Sequence, residues 1–121
     1  MLPNIPLWQQ EGAARISDEV TTEQIQSIAR ELQAIRNQIQ TVSSQISEYG
    51  ITLEALGEQD SGKPVYRSLG NLLLEVADRE KLLSELTDAK SSLEEHLKRL
   101  VEREENLREH YEEKAEQFER E

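Results

Sequence analysis

The sequence predicts a mainly α protein, an antiparallel two-helix coiled coil with one β-hairpin between the helices. Two long segments carry apolar residues at alternating spacings of three and four, and a short strand-turn-strand pattern separates them. The composition, 32% charged and 4% aromatic, is typical of coiled coils. We expect a single domain over 1–121, with an N-terminal arm (1–20), a first helix (21–57), a connector and hairpin (58–77) and a second helix (78–121).

The first twenty residues show little periodicity and are predicted to form an irregular arm. Pro3, Pro6 and Gly12 interrupt the apolar residues of this stretch. Thr21, followed three residues later by Gln24, matches a capping box. The first helix is therefore expected to begin here.

The first helix has an unbroken apolar seam. Its members alternate at spacings of three and four, which specifies a supercoiled contact: they are Ile25, Ile28, Leu32, Ile35, Ile39, Val42, Ile46, Tyr49, Leu53 and Leu56. Gly50 lies within this run and costs about 1 kcal/mol of helix propensity relative to alanine, so we expect bending or fraying there. The helix should end near Gly57, where glycine can adopt the left-handed cap.

The second helix is predicted to start at Asp78, a favourable N-cap residue, and to carry a weaker seam. Its seam positions are Leu83, Leu86, Lys90, Leu93, Leu97, Leu100, Glu104, Leu107, Tyr111, Lys114 and Phe118. Leu82, Ala89 and Val101 are expected to broaden the stripe. Glu104 and Arg108 have the spacing of a favourable pair along one helix.

The stretch between the helices predicts a hairpin that needs partners. Residues 65–69 and 72–76 form the strands, and Gly70-Asn71 forms the turn. A two-stranded hairpin is marginal in water and leaves both of its edges unpaired. Other copies or sister subunits must therefore cover it. The residues predicted to carry oligomerisation are Val65, Tyr66, Leu69, Leu72, Leu74 and Val76.

Composition excludes several classes of protein. The chain has no cysteine, which removes disulfides and favours a reducing cytoplasm. A formal charge of −11 argues against nucleic acid and against anionic membrane surfaces as partners. No apolar run approaches the roughly 20 residues of a membrane span, and the N-terminus lacks the pattern of a signal peptide. We expect a cytoplasmic protein.

Motifs for catalysis or for cofactor and metal binding are weak. Gly57-x-x-x-x-Gly62-Lys63 approaches a phosphate-binding loop, but Pro64 replaces the hydroxyl residue that would bind magnesium. His96 and His110 lie fourteen residues apart on one helix, too distant to share a metal ion. We therefore predict no enzyme activity, no cofactor and no metal.

Apolar residues also collect at the end of the molecule opposite the hairpin. The residues of this apolar tip are Leu2, Ile5, Leu7, Trp8, Tyr111 and Phe118. One interpretation is that Tyr111 and Phe118 merely end the seam and that the arm is disordered. The other is an exposed apolar patch that binds hydrophobic chains.

The segment VYRSLGNLLLEV (65–76), followed by the heptad helix that starts DREKLLSEL, resembles the β-class subunits of prefoldin. The resemblance covers about residues 22–115 and is most specific at Tyr66, Gly70 and the strand 72–76. It implies an α2β4 hexamer with sister prefoldin subunits, in which hairpins form a double β-barrel platform. It also implies ATP-independent capture of unfolded client proteins at the coiled-coil tips and delivery to a group II chaperonin.

Two other functions fit the same pattern. One is a structural role, in which the chain is a spacer or filament built from the same hairpin platform without a client. The other is a regulatory coiled-coil adaptor that binds a specific folded partner. The oligomeric state and the ability to hold unfolded protein distinguish the three.

Overall fold

Two long helices with a two-stranded antiparallel sheet between them make up the part of the chain that the structure describes, residues 20–120. In this computed structural model, helix α1 spans Thr22–Glu58, strand β1 Tyr66–Leu69, strand β2 Leu72–Glu75 and helix α2 Arg79–Arg120. The predicted fold class is confirmed. Most of the predicted N-terminal arm (residues 1–19) lies outside the described residues.

The chain divides into two compact units. Among the described residues, the terminal unit comprises those up to Arg36 and those from Glu102 onward, and the hairpin unit comprises Asn37–Val101. Contacts show that the helices run antiparallel within each unit. In the terminal unit, Ile28 lies beside His110 while Arg36 bonds Glu104. In the hairpin unit, Gln45 shares a groove with Leu93 while Leu56 accepts a bond from Arg79.

Helix α1 begins with the predicted capping box. The Gln24 N–H donates to Thr21 Oγ1 at 3.1 Å, and the Thr21 N–H donates to Gln24 Oε1 at 3.1 Å. Val20, which we assigned to the arm, is only 4% exposed. Val20 and Ile25 occupy the two positions of a hydrophobic staple around this cap. The entry of the chain into α1 is therefore specified by adjacent residues.

The predicted seam of α1 is the main apolar core. Each of its ten positions is buried or half-buried, and the buried ones are Ile28, Leu32, Ile35, Val42 and Leu56. No polar or charged residue is buried within the described part of the chain. Full burial of a valine, leucine or isoleucine side chain contributes about 1.5–3 kcal/mol relative to exposure. These positions therefore supply much of the stabilisation of the helix pair.

Helix α1 ends close to Gly57, as expected, but not with the expected cap. The predicted left-handed cap at Gly57 is wrong, because α1 continues through Gly57 to Glu58, and positive φ occurs among the described residues only at Gly70. The cap is provided from α2 instead: the Arg79 guanidinium donates to the main-chain oxygens of Leu56 and Gln59. A long-range contact therefore replaces a local one.

The start of α2 agrees with the expectation at Asp78. Its carboxylate accepts a hydrogen bond from the Lys81 N–H at 3.0 Å, and its carbonyl accepts one from the Leu82 N–H at 3.2 Å. The connector before the hairpin contains a turn in which the Lys63 N–H donates to the Asp60 oxygen at 3.0 Å. The hairpin is therefore preceded by a hydrogen-bonded turn and followed by a capped helix start.

The α2 seam is less apolar, as predicted, and one of its charged members, Glu104, bonds to α1. Glu104 accepts hydrogen bonds from Arg36 Nε at 3.3 Å and Nη2 at 3.2 Å. The predicted pairing of Glu104 with Arg108 is therefore wrong, and Arg108 lies 3.9 Å from Glu105. The Glu104 side chain is 17% exposed and that of Arg36 is 50% exposed, so we assign this pair at most about 1 kcal/mol.

The predicted width of the α2 stripe is partly wrong. Leu82 is buried and Ala89 is half-buried, but Val101 is 44% exposed. Phe118, the last seam position, is also 44% exposed. Val101 is the residue after the buried Leu100, so the helical rotation of about 100° per residue turns its side chain away from the seam.

Gly50 provides a test of the α1 backbone. The fraying expected there is absent, since α1 continues for eight more residues. A Cβ at Gly50 would lie 3.9 Å from Lys90 Cε, an ordinary van der Waals contact. We expect Gly50→Ala to raise the free energy of unfolding by about 0.5–1 kcal/mol, because alanine has less backbone freedom to lose. Thermal unfolding followed by circular dichroism should show a Tm about 2–8 °C higher.

The matched control for this prediction is Gly70→Ala. Gly70 has a φ of 60°, a conformation that is strained for alanine, so this substitution should lower the Tm. A Tm for Gly50→Ala at or below that of the wild type would contradict the prediction.

Candidate assembly interface

The hairpin turns at Gly70 and Asn71, as predicted. These two residues form the whole loop between the paired residues Leu69 and Leu72. Gly70 has a φ of 60°, whereas Asn71 does not have positive φ. Positive φ at the first central position alone is typical of a type II′ turn, whose twist matches that of antiparallel strands. The turn therefore determines the pairing register.

The register defines two faces of the hairpin. Leu69 lies opposite Leu72 and Arg67 opposite Leu74, and the Val76 N–H extends the ladder by donating to the Val65 oxygen at 2.7 Å. Opposed residues point to the same side of a sheet. The leucine face consists of Val65, Arg67, Leu69, Leu72, Leu74 and Val76. The tyrosine face consists of Tyr66, Ser68, Leu73 and Glu75.

Large apolar side chains on both faces of the hairpin are exposed. On the leucine face, Leu69 is 64% exposed, Leu72 63% and Leu74 46%; on the tyrosine face, Tyr66 is 56% exposed and Leu73 72%. These five are among eight exposed large apolar side chains in the described chain. Their concentration on eight strand residues makes the hairpin the main exposed apolar surface among the described residues, a feature typical of a protein–protein interface.

Leu73 was absent from the predicted set. Alternation along the strand places Leu72 and Leu74 on one face and Leu73 on the other. The sequence signal is the run of three leucines at 72–74, since an unbroken apolar run indicates a strand to be covered on both faces. Tyr66 was in the set, but the register places it on the tyrosine face, opposite Glu75.

Both strand edges are open within the described part of the chain, because the sheet has two strands only. The backbone bond between Val65 and Val76 is a ladder bond. Narrow and wide pairs alternate along an antiparallel ladder. The N–H and C=O groups of the intervening residues therefore point outward: Tyr66 and Ser68 on one edge, Leu73 and Glu75 on the other. Each edge offers donors and acceptors to a further strand.

The leucine face is partly covered where the strands leave the helices. Leu74 and Val76 line a depression together with Leu82 and Glu85 of α2, and Arg67 Nη1 lies 3.9 Å from Glu85 Oε2. Val65 and Val76 are half-buried. The open part of this face is therefore the end nearest the turn, around Leu69 and Leu72.

The predicted client-binding tip is only partly described. Leu2, Ile5, Leu7 and Trp8 lie outside the described residues. Tyr111 is half-buried within the terminal unit, whereas Phe118 is exposed. Of the two aromatic candidates on α2, Phe118 is thus the more accessible to a partner.

Other kinds of site find little support in the described residues. No group of three or more His, Cys, Asp or Glu side chains there is placed to hold a metal ion. His96 and His110 are both exposed on α2. Gly57 lies inside a helix, which is not the strand-to-helix setting that a phosphate-binding loop requires. Neither described helix is long and apolar enough to span a membrane.

Comparison with known proteins gives consistent matches. The family described as "Prefoldin subunit" matches residues 19–120. A prefoldin subunit beta of Archaeoglobus fulgidus is 32% identical over 88 residues, which cover 73% of this chain and 75% of that protein. The crystal structure of the prefoldin beta subunit from Thermococcus strain KS-1 superimposes with a TM-score of 0.70 and 26% identity, covering 97% of this chain and 94% of that one.

Proposed function

This chain belongs to the prefoldin subunit family, and from this premise we propose that it is an ATP-independent holdase subunit of the β class that works in the cytoplasm. It assembles through its hairpin with sister prefoldin subunits into an α2β4 hexamer. The hexamer binds unfolded client proteins at the helix ends and passes them to a group II chaperonin.

The observation that carries this proposal is that the hairpin is a two-stranded sheet whose two edges are unpaired in the described part of the chain. Two strands with open edges and five exposed apolar side chains are unstable as an isolated unit in water. Closure into a barrel with other hairpins would pair both edges and bury one face. The residues proposed for this contact are Val65, Tyr66, Leu69, Leu72, Leu74 and Val76, and we add Leu73 because it is 72% exposed.

Client binding is proposed at the ends of the helices that lie away from the hairpin in sequence. Phe118, 44% exposed, provides an accessible aromatic ring near the end of α2, and Tyr111 lies one heptad before it. One such ring binds weakly, but several helix ends in one hexamer can hold the same unfolded chain with avidity. Leu2, Ile5, Leu7 and Trp8 remain further candidates for this surface.

The test uses the full chain with an archaeal α-class prefoldin subunit. Native mass spectrometry of the mixture should show one closed hexameric species. Without nucleotide, this species should suppress the aggregation of a chemically denatured client enzyme diluted into buffer. Unlimited growth of the oligomer without suppression would instead support the structural spacer or filament, and would overturn the holdase proposal.

Two variants separate client binding from assembly. Phe118→Ser should reduce suppression of aggregation while the hexamer mass is unchanged. Ile51→Ser is the matched control, because Ile51 is 68% exposed on α1 but belongs to the hairpin unit. Equal suppression by the two variants would remove Phe118 from the client-binding surface.

A further inference from the structure

Helix α1 lacks a C-terminal cap of its own. Its last turn has no basic side chain, and Gly57 is helical. The last four carbonyls of an α-helix have no donor within the helix and carry the negative end of its dipole. The Gln59 N–H donates to the Ala55 oxygen at 3.2 Å and satisfies one of them. The carbonyls of Leu56, Gly57 and Glu58 are left for donors from other side chains or from water, and of these three residues only Leu56 is buried.

Arg79, the first residue of α2, supplies such donors. Its Nη2 donates to the Leu56 oxygen and, at 3.0 Å, to the Gln59 oxygen. Its Nε–H is buried and lacks a hydrogen-bond partner among the described residues, which is unfavourable for a donor. Because Arg79 directly follows the N-cap Asp78, its guanidinium joins the end of α1 to the start of α2.

The segment closed by Arg79 contains the whole hairpin. Three further contacts lie at the root of that hairpin. The Val76 N–H bonds the Val65 oxygen at 2.7 Å, Gln59 Nε2 donates to the Pro64 oxygen at 3.4 Å, and Arg67 lies 3.9 Å from Glu85. The two strands therefore begin and end beside the point where Arg79, at the start of α2, bonds to the end of α1.

We propose that Arg79 is a positioning residue for assembly, because it fixes the orientation of the hairpin relative to the two helices that carry it. This inference rests on the proposed hairpin-mediated assembly. Closure of several hairpins into one sheet requires each protomer to present its strands at the same angle. A hairpin that is already held in place also loses less conformational entropy on binding.

Two substitutions of Arg79 test the role. Arg79→Met keeps a long apolar stem and removes every donor. Arg79→Lys keeps the charge but replaces the planar guanidinium by a flexible ammonium group. Each full-length variant is titrated with an archaeal α-class prefoldin subunit and followed by native mass spectrometry below its unfolding temperature. We expect the apparent dissociation constant to rise at least about tenfold for Arg79→Met and less for Arg79→Lys, with helicity retained.

Two controls separate positioning from stability. Arg99→Met removes an exposed arginine from the same helix, and Val42→Ala lowers the Tm by opening a cavity in the seam. Both should assemble with the wild-type dissociation constant. Wild-type assembly of Arg79→Met, or equal weakening by Val42→Ala, would overturn the inference. Failure of the wild-type chain to assemble would instead overturn the proposed function and, with it, the basis of this inference.

Hydrogen exchange covers the case in which Arg79→Met does not fold. In Arg79→Lys, the amides of residues 59–76 should exchange faster while the amides of the seam positions keep their protection. Unchanged exchange at the hairpin root would show that Arg79 does not position it.

Discussion

Leu72→Asp is expected to abolish assembly. Leu72 is 63% exposed, lies at the open end of the leucine face and has Leu69 opposite it. A carboxylate at this position would be buried among apolar side chains on barrel closure, without a partner. An uncompensated buried charge costs about 3–5 kcal/mol, which corresponds to a dissociation constant more than a hundredfold higher. Native mass spectrometry of the variant mixed with an α-class subunit should show unassembled chains.

Leu74→Asp provides a graded comparison for this effect. Arg67 lies directly opposite Leu74 in the register, so a carboxylate at Leu74 has a cation within reach. We therefore expect Leu74→Asp to weaken assembly less than Leu72→Asp does. Ile51→Asp introduces the same charge at an exposed apolar residue outside the hairpin and should assemble normally. Normal assembly of Leu72→Asp would exclude the leucine face from the interface.

Leu32→Ala is expected to have the largest effect on stability. Leu32 is 5% exposed in the α1 seam, and truncation removes buried apolar area and leaves a cavity. Such substitutions cost about 2–5 kcal/mol, and we expect the lower half of this range because a two-helix seam lies close to solvent. The Tm measured by circular dichroism should fall by roughly 8–20 °C.

Val101→Ala is the matched control for Leu32→Ala. It also truncates an aliphatic side chain within the predicted stripe, but Val101 is 44% exposed in the structure. We expect a change in the free energy of unfolding within about 0.5 kcal/mol. Similar losses for the two variants would show that the seam is broader than the structure indicates.

Local signals in the sequence were sufficient for the elements of this fold. The 3-4 spacing predicted both helices and the α1 seam, because apolar residues at that spacing share one side of a helix. Thr21 with Gln24 predicted the start of α1, Asp78 the start of α2, and Gly70-Asn71 the turn. Each of these features depends on interactions between residues a few positions apart. Neighbouring residues in the sequence are therefore enough to predict it.

Two of the features that sequence reasoning missed depend on residues that are distant in the chain. A glycine near the end of α1 suggested a local cap, but Arg79, more than twenty residues later, provides the donors. Glu104 had a suitable partner one turn away, yet Arg36 of the other helix reaches it.

The amino-acid sequence is thus sufficient to establish two heptad helices, one hairpin between them and membership of the prefoldin subunit family. The folded chain adds what periodicity cannot contain: the leucines that stay exposed on both hairpin faces, the outward turn of Val101, and the arginine that joins the two helix ends. Heptad and strand patterns report the direction of a side chain relative to its own backbone. The exposure of a side chain and the capping of a helix depend instead on which other segments of the chain lie nearby in the folded structure.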